Sequence, residues 1–304
     1  MPRAPRTSHQ VIVIGAGVAG MAAATEAARC GLKTALFDDG LLGGLITNVG
    51  AVHGYPGFSE TTGADLVNTM LGEALEAEVD YQPGAVTELA ATAGHWSLPG
   101  NGVTALRVIL ATGADLRTLG VPGEAQLMAR GVSQCAFCDG GLYKGKDVAV
   151  VGGGDGAFQE ALHLATLCAN VTMILRGQKP RARPTFARAA ADLENMHFRW
   201  QTEVQEIIGD GGVDAVRLRG QDNGAEEILP IAAIFPFIGL TPRTALAPTG
   251  AQRDSDGGLI ANAEMQTDQP GLYAIGSARS GHGGQVAHAI ADAKTAAQGA
   301  WLSI

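Results

Sequence analysis

The chain has 304 residues, enough for two domains of ordinary size, and its 43 glycines follow no collagen period, which marks a globular protein rich in tight turns. With 30 acidic against 21 basic side chains the net charge is -9, which excludes a nucleic-acid or anionic-membrane surface as the expected partner and leaves small or protein substrates. No apolar run approaches a membrane span, and the one after Gln10 is too short for a signal segment, so a cytoplasmic, reducing location is expected.

The β-branched run Val11-Ile12-Val13-Ile14 predicts a strand that ends in Gly15-Ala16-Gly17-Val18-Ala19-Gly20 and is followed by a helix from Met21. A second strand, Thr34-Ala35-Leu36-Phe37, ends in Asp38. In this order Gly15, Gly17 and Gly20 admit a pyrophosphate to the start of the helix, and Asp38 takes ribose hydroxyls. An adenine dinucleotide site is therefore predicted. Further on, Val108-Ile109-Leu110-Ala111 reads as a strand closing on Thr112-Gly113.

Cys135-Ala136-Phe137-Cys138-Asp139-Gly140 carries two thiols at C-x-x-C spacing, followed at once by a carboxylate. Such a pair closes and reopens a small disulfide readily, which suits electron transfer in a reducing compartment. The same spacing is also half of a zinc knuckle, and two inert buried thiols are a third reading. Cys30 and Cys168 lie far apart in alanine-rich helical patterns and offer no second half, so the expectation is a redox disulfide and no metal. Both read as small core residues.

The dinucleotide pattern then returns. Val148-Ala149-Val150-Val151 leads into Gly152-Gly153-Gly154-Asp155-Gly156-Ala157, a helix through residues 159–165, and a strand over residues 171–175. Here the second strand ends in Arg176 instead of an acid. An arginine suits a 2′-phosphate and an acid a free 2′-hydroxyl, so the second site leans towards NADP and the first towards FAD or NAD. The segment Leu272-Tyr273-Ala274-Ile275-Gly276-Ser277 echoes the strand at 108–113. The predicted fold is α/β, with two Rossmann-like domains: residues 1–113 with 244–304 form the first, and residues 114–243, carrying the C-x-x-C, are inserted into it. Hinges are expected near Thr112-Gly113 and Gly239-Leu240-Thr241-Pro242, on which the inserted domain would swing. The tail from Val286 reads as an amphipathic helix.

Together these pieces resemble the low-molecular-weight thioredoxin reductase family. The carrying segments are the two glycine loops, Gly43-Gly44-Leu45-Ile46-Thr47, Tyr55-Pro56-Gly57-Phe58, Ala111-Thr112-Gly113-Ala114, Leu119-Gly120-Val121-Pro122-Gly123-Glu124 and the Cys135–Gly140 motif. The resemblance implies FAD on the first domain, NADPH on the second, a homodimer, and electrons passing from NADPH through flavin and disulfide to thioredoxin. It implies that Cys138 lies nearest the flavin, that Cys135 is the exposed thiol attacking the partner, and that Asp139 exchanges the proton of the leaving thiolate. It places Gly15, Gly17, Gly20, Asp38, Gly43, Gly44, Thr112, Gly113, Gly276, Ser277 and Gln285 around FAD. On the nicotinamide dinucleotide it places Gly152, Gly154, Asp155, Arg176 and Arg181.

This chain also departs from the family pattern. The His-Arg-Arg and further Arg that grip a 2′-phosphate read Leu175-Arg176-Gly177 and Arg181. Ser277 stands for an aspartate, Gly284-Gln285 for Arg-Gln, Leu45 for a glutamine and Gly54 for an asparagine. These changes keep a second reading open: the same fold and FAD without a nicotinamide, as a ferredoxin-linked reductase or a dithiol oxidase passing electrons to oxygen. A non-catalytic flavoprotein is a third. His53, His282 and His288 are each either a general base near the flavin or a solvent-facing or capping side chain.

Overall fold

The computed structural model of the chain describes residues 8–40, 42–52, 61–92 and 94–304. From the N-terminus the elements are β1 (His9–Ile14), α1 (Val18–Arg29), β2 (Thr34–Asp38), α2 (Gly63–Glu76), β3 (Asp80–Pro83), β4 (Ala90–Thr92), β5 (His95–Leu98) and β6 (Val103–Leu110). Next come β7 (Ala114–Leu116), α3 (Ala136–Asp139), β8 (Asp147–Val151), α4 (Asp155–Ala165), β9 (Asn170–Ile174), α5 (Pro184–Ala191) and β10 (Met196–Arg199). The remainder are β11 (Thr202–Ile208), β12 (Ala215–Gly220), β13 (Glu226–Pro230), β14 (Ala233–Pro236), β15 (Leu240–Pro242), β16 (Leu272–Ala274) and α6 (Val286–Leu302). The fold is α/β. No helix among the described residues is long and apolar enough to cross a membrane.

Two compact units emerge, Met1–Asp115 with Thr241–Ile304 and Leu116–Leu240. The chain passes between them through β7 and β15, which pair with each other.

The first unit is built on a seven-stranded sheet of order β3-β2-β1-β6-β5-β4, with β16 also pairing β6. Strand β6 pairs β1 along one edge and divides the other between two strands: Val103–Ala105 runs antiparallel to β5, and Val108–Leu110 runs parallel to β16. Val11, Ile12 and Val13 of β1 are fully buried, as the uninterrupted apolar run of a strand covered on both faces requires. Helices α1 and α6 share one core cluster, to which Ala23, Ala24 and Ala27 contribute from α1 and Ala289, Ala293, Ala296, Ala297 and Ala300 from α6. Alanine stripes let two helix backbones approach closely. Helix α1 starts at Val18, earlier than the expected Met21, because Gly20 can join its first turn: a Cβ there would lie 1.7 Å from the Gly15 carbonyl oxygen.

The second unit has a four-stranded parallel sheet of order β10-β9-β8-β14 and a three-stranded antiparallel sheet of order β11-β12-β13. Strand alternation divides its core. Val148, Val150, Val171, Met173 and Phe235 pack with Phe158, Ala161 and Leu164 of α4. Ala149, Val151, Ile174 and Ile234 face Val204, Ile207, Val216 and Leu218 of the antiparallel sheet.

Candidate functional site

In the first unit the glycine loop joins β1 to α1 at the C-terminal end of the sheet. Gly15 has φ +105°, and a Cβ on it would stand 2.3 Å from the Ala111 carbonyl oxygen. Only glycine lets the loop pack this closely on the end of β6, the tight turn that a pyrophosphate-binding βα unit needs. Gly17 caps α1 without a side-chain hydrogen bond and pairs with Gly43, whose N–H donates to the Ala16 carbonyl at 2.9 Å. Asp38 closes the turn: one carboxylate oxygen accepts the Ala16 N–H at 2.9 Å and the other accepts the Gly40 N–H at 3.0 Å. The acid expected to take ribose hydroxyls thus also shapes the loop. Gly44 follows at φ +64°, Gly113 at φ +72°, and the Thr112 hydroxyl donates to the Arg243 carbonyl. Gly63, which sequence reasoning did not single out, is equally constrained, since a Cβ there would lie 1.6 Å from the Ile46 carbonyl oxygen.

Gly276 lies against the first turn of α1, its missing Cβ 2.8 Å from that of Ala19, and its N–H donates to Asp292 at 3.1 Å. Asp292 is buried in α6 and holds Arg279 through two hydrogen bonds, to Nε at 2.7 Å and Nη2 at 2.8 Å. His282 Nδ1 is 3.4 Å from the same carboxylate. Burial raises the Asp292 carboxyl, but the contacts with His282, Arg279 and the Gly276 amide outweigh it and hold the carboxyl at about 2. Arg279 and Asp292 were absent from the sequence reading. The signal for Asp292 was a lone acid on the alanine stripe of α6. Ser277 follows Gly276 in a short 3-10 turn, and Gln285 is the N-cap residue of α6. His282 is accordingly neither solvent-facing nor a helix cap, whereas His288 is exposed. His53, Gly54 and the segment Tyr55-Pro56-Gly57-Phe58 lie outside the described residues.

In the second unit Gly152 has φ +145°, with its missing Cβ 2.3 Å from the Phe237 carbonyl oxygen, and Gly154 is the N-cap of α4. The stretch after β9 folds back on this loop, Arg181 and Ala182 donating their N–H groups to the Gly153 carbonyl at 2.8 and 3.0 Å. Asp155 is engaged by Arg183, from its N–H and its Nε, both at 2.7 Å. Arg176 and Arg181 are exposed. Arg183 is thus spent on the loop's own acid.

Cys135 and Cys138 form a disulfide with Cα atoms 5.3 Å apart. Cys135 is the N-cap of α3, its sulfur accepting the Cys138 N–H at 3.0 Å. Ser133, buried, accepts the Cys135 N–H at 3.1 Å and donates to Asp139 Oδ2 at 2.6 Å. Glu160 of α4 accepts the Ala136 N–H at 3.0 Å and also the Phe137 N–H. Neither Ser133 nor Glu160 was legible in the motif. The resemblance made Cys135 the exposed thiol, but in this disulfide state Cys135 is only 9% exposed and Cys138 is open. The cause is local, because Cys135 is drawn inward by Ser133 and by its capping role.

Against known proteins, residues 9–296 match the family model described as pyridine nucleotide-disulphide oxidoreductase. A thioredoxin reductase of Listeria innocua serovar 6a is 37% identical over 295 residues, covering 96% of this chain and 92% of that protein. The crystal structure of Lactococcus lactis thioredoxin reductase superposes with a TM-score of 0.94 at 32% identity, covering 97% of this chain and 99% of that one. That of T. acidophilum thioredoxin reductase gives 0.91 at 31% identity, over 97% and 98%.

Proposed function

The chain belongs to the pyridine nucleotide-disulphide oxidoreductase family and is an FAD-dependent disulfide oxidoreductase of the thioredoxin reductase type; on that premise we propose that it draws electrons from NADPH and delivers them to thioredoxin. The reading includes a homodimer in a reducing, cytoplasmic compartment. Its strongest support is one observation: the Cys135–Cys138 disulfide sits in the same unit as a second dinucleotide-type glycine loop. The relatives give no support to the ferredoxin-linked or dithiol-oxidase alternatives.

FAD, when bound, supplies the two-electron carrier between nicotinamide and disulfide. The first unit's residues fit it: Gly15, Gly20 and Gly276 allow the close backbone packing that holds the β1–α1 turn tight, and Gly17 leaves the start of α1 without a side-chain cap. Gly15, Gly17, Gly20, Gly43, Gly44, Thr112 and Gly113 would hold its phosphates and ribityl chain, with Asp38 on the ribose. Gly276, Ser277 and Gln285 would line the flavin end. On the nicotinamide dinucleotide, Gly152 and Gly154 would meet the pyrophosphate and Asp155 would fix the loop through Arg183. Arg176 and Arg181 would take the 2′-phosphate.

The chain's own part in the chemistry is to hold and release protons at sulfur. Reduction of the disulfide yields one thiolate and one thiol, and the Cys138 N–H already points at the Cys135 sulfur, where it would stabilise the anion. Asp139, oriented by Ser133, would exchange the second proton. Oxidation of NADPH followed at 340 nm in the presence of oxidised thioredoxin tests this reading, with C138S as the control. Turnover by the wild type and none by C138S is the expected result. Absence of NADPH oxidation at any thioredoxin concentration would overturn it.

A further inference from the structure

The short helix α3 carries the redox pair, and each of its first amides has an identified acceptor. The Ala136 and Phe137 N–H groups go to Glu160, the Cys138 N–H to the Cys135 sulfur, and the Asp139 N–H to the Cys135 carbonyl. The opening amides of a helix are donors without intrahelical partners, free to stabilise an anion. Here two of them are occupied by a carboxylate brought from α4, and one is left for sulfur. Glu160 sits on the otherwise apolar face of α4, in phase with Ala157, Ala161 and Leu164. It comes from 24 positions further along the chain than the amide it holds.

Asp139, Tyr143 and His163 are ionisable groups on or beside this turn. Asp139 is acidic and is held by Ser133. The phenol of Tyr143, on the following turn, is pushed up by burial and by the Asp139 charge, so it stays neutral. The His163 ring, one helical turn beyond Glu160, lies 5.4 Å from that of Phe137, and burial pushes its imidazole down, towards the neutral form. Burial holds the Glu160 carboxyl above the ordinary carboxylate value, and the two amides offset only part of that rise.

We propose that Glu160 is a positioning residue that makes the Cys135/Cys138 couple a stronger reductant, by taking helix amides from the thiolate and placing a negative charge behind it. The inference rests on the reading of this pair as the working couple. A donor to a partner disulfide needs its own reduced form to be the less stable one, the reverse of an oxidant whose thiolate is stabilised. Glu160 acts through the turn that carries the two sulfurs, by way of the Ala136 and Phe137 amides.

The test is an equilibrium titration of the FAD-loaded protein under argon in glutathione buffers, read by alkylation and mass analysis of the peptide carrying Cys135 and Cys138. The exchange breaks the protein disulfide and forms glutathione disulfide, two glutathione thiols being oxidised as two protein thiols are made. E160Q, which keeps the shape and an acceptor oxygen but loses the charge, should shift the equilibrium about tenfold towards the dithiol, about 30 mV for a two-electron couple. E160A should move it the same way. E160D, which keeps the charge, should stay within about twofold of the wild type by the same argument. Superposition of E160Q and E160A on the wild type, or a shift towards the disulfide, overturns the role of Glu160. A wild-type pair that remains oxidised in every buffer overturns instead the reading on which it rests.

Discussion

Replacing Asp292 by Asn should destabilise the first unit by about 2.5 kcal/mol at pH 7. The carboxyl is held at about 2, below its ordinary 3.8, and each pH unit of displacement corresponds to about 1.4 kcal/mol. Asp292 is 5% exposed and Arg279 21%, so solvent screens the pair little. For a unit of this size each kcal/mol lowers Tm by about 2–4 °C, giving a fall of about 5–10 °C. The sign of the pH dependence follows from the direction of the displacement. A carboxyl held low in the folded state contributes fully above pH 4 and loses its contribution as pH falls towards about 2, so about half should be gone at pH 3. Thermal melts of wild type and D292N at pH 7 and pH 3, monitored by circular dichroism with excess FAD present, measure both quantities. A difference below about 1 °C at pH 7, or one that does not shrink at pH 3, would refute the reasoning.

Gly20→Ala should abolish FAD retention on gel filtration, because its Cβ would stand 1.7 Å from the Gly15 carbonyl oxygen and no shift of a side chain can relieve a backbone clash. The double variant R176A/R181A should weaken NADPH binding by about 10- to 100-fold for each lost charge-assisted contact while leaving NADH unchanged, as equilibrium binding to the purified variant will show. After reduction with dithiothreitol and brief iodoacetamide treatment, mass analysis should find Cys138 labelled before Cys135, following the exposure of the two residues. Equal labelling would mean that the turn rearranges on reduction.

The parts legible in the sequence are those whose physics is local. A β-branched run that stops at Gly15 or Gly152 needs no distant partner to declare a strand, a tight turn and a helix start, and two such units fix an α/β fold. Cys135 and Cys138 announce themselves by spacing alone. What escaped are the polar partners supplied from elsewhere in the chain: Glu160 beneath Ala136, Asp292 beneath Gly276, and Arg183 on Asp155. Each is chosen by tertiary packing, and spacing says nothing of it. Glu160 and Asp292 nevertheless left a trace, an acid in phase with the buried stripe of its helix, and a buried acid demands donors. The burial of Cys135 in the disulfide state escaped too, because it depends on the local turn. Ser133 and the capping sulfur decide it here.

The central claim is that flavin and the Cys135–Cys138 disulfide stand in series behind NADPH. An anaerobic spectrum of the purified protein, recorded before and after NADPH, then NADH, then dithiothreitol, tests it most directly. The account predicts rapid bleaching of the flavin band by NADPH, with a C135S/C138S variant taking up two electrons fewer per chain. Bleaching by dithiothreitol alone, with both nicotinamides inert, would contradict it.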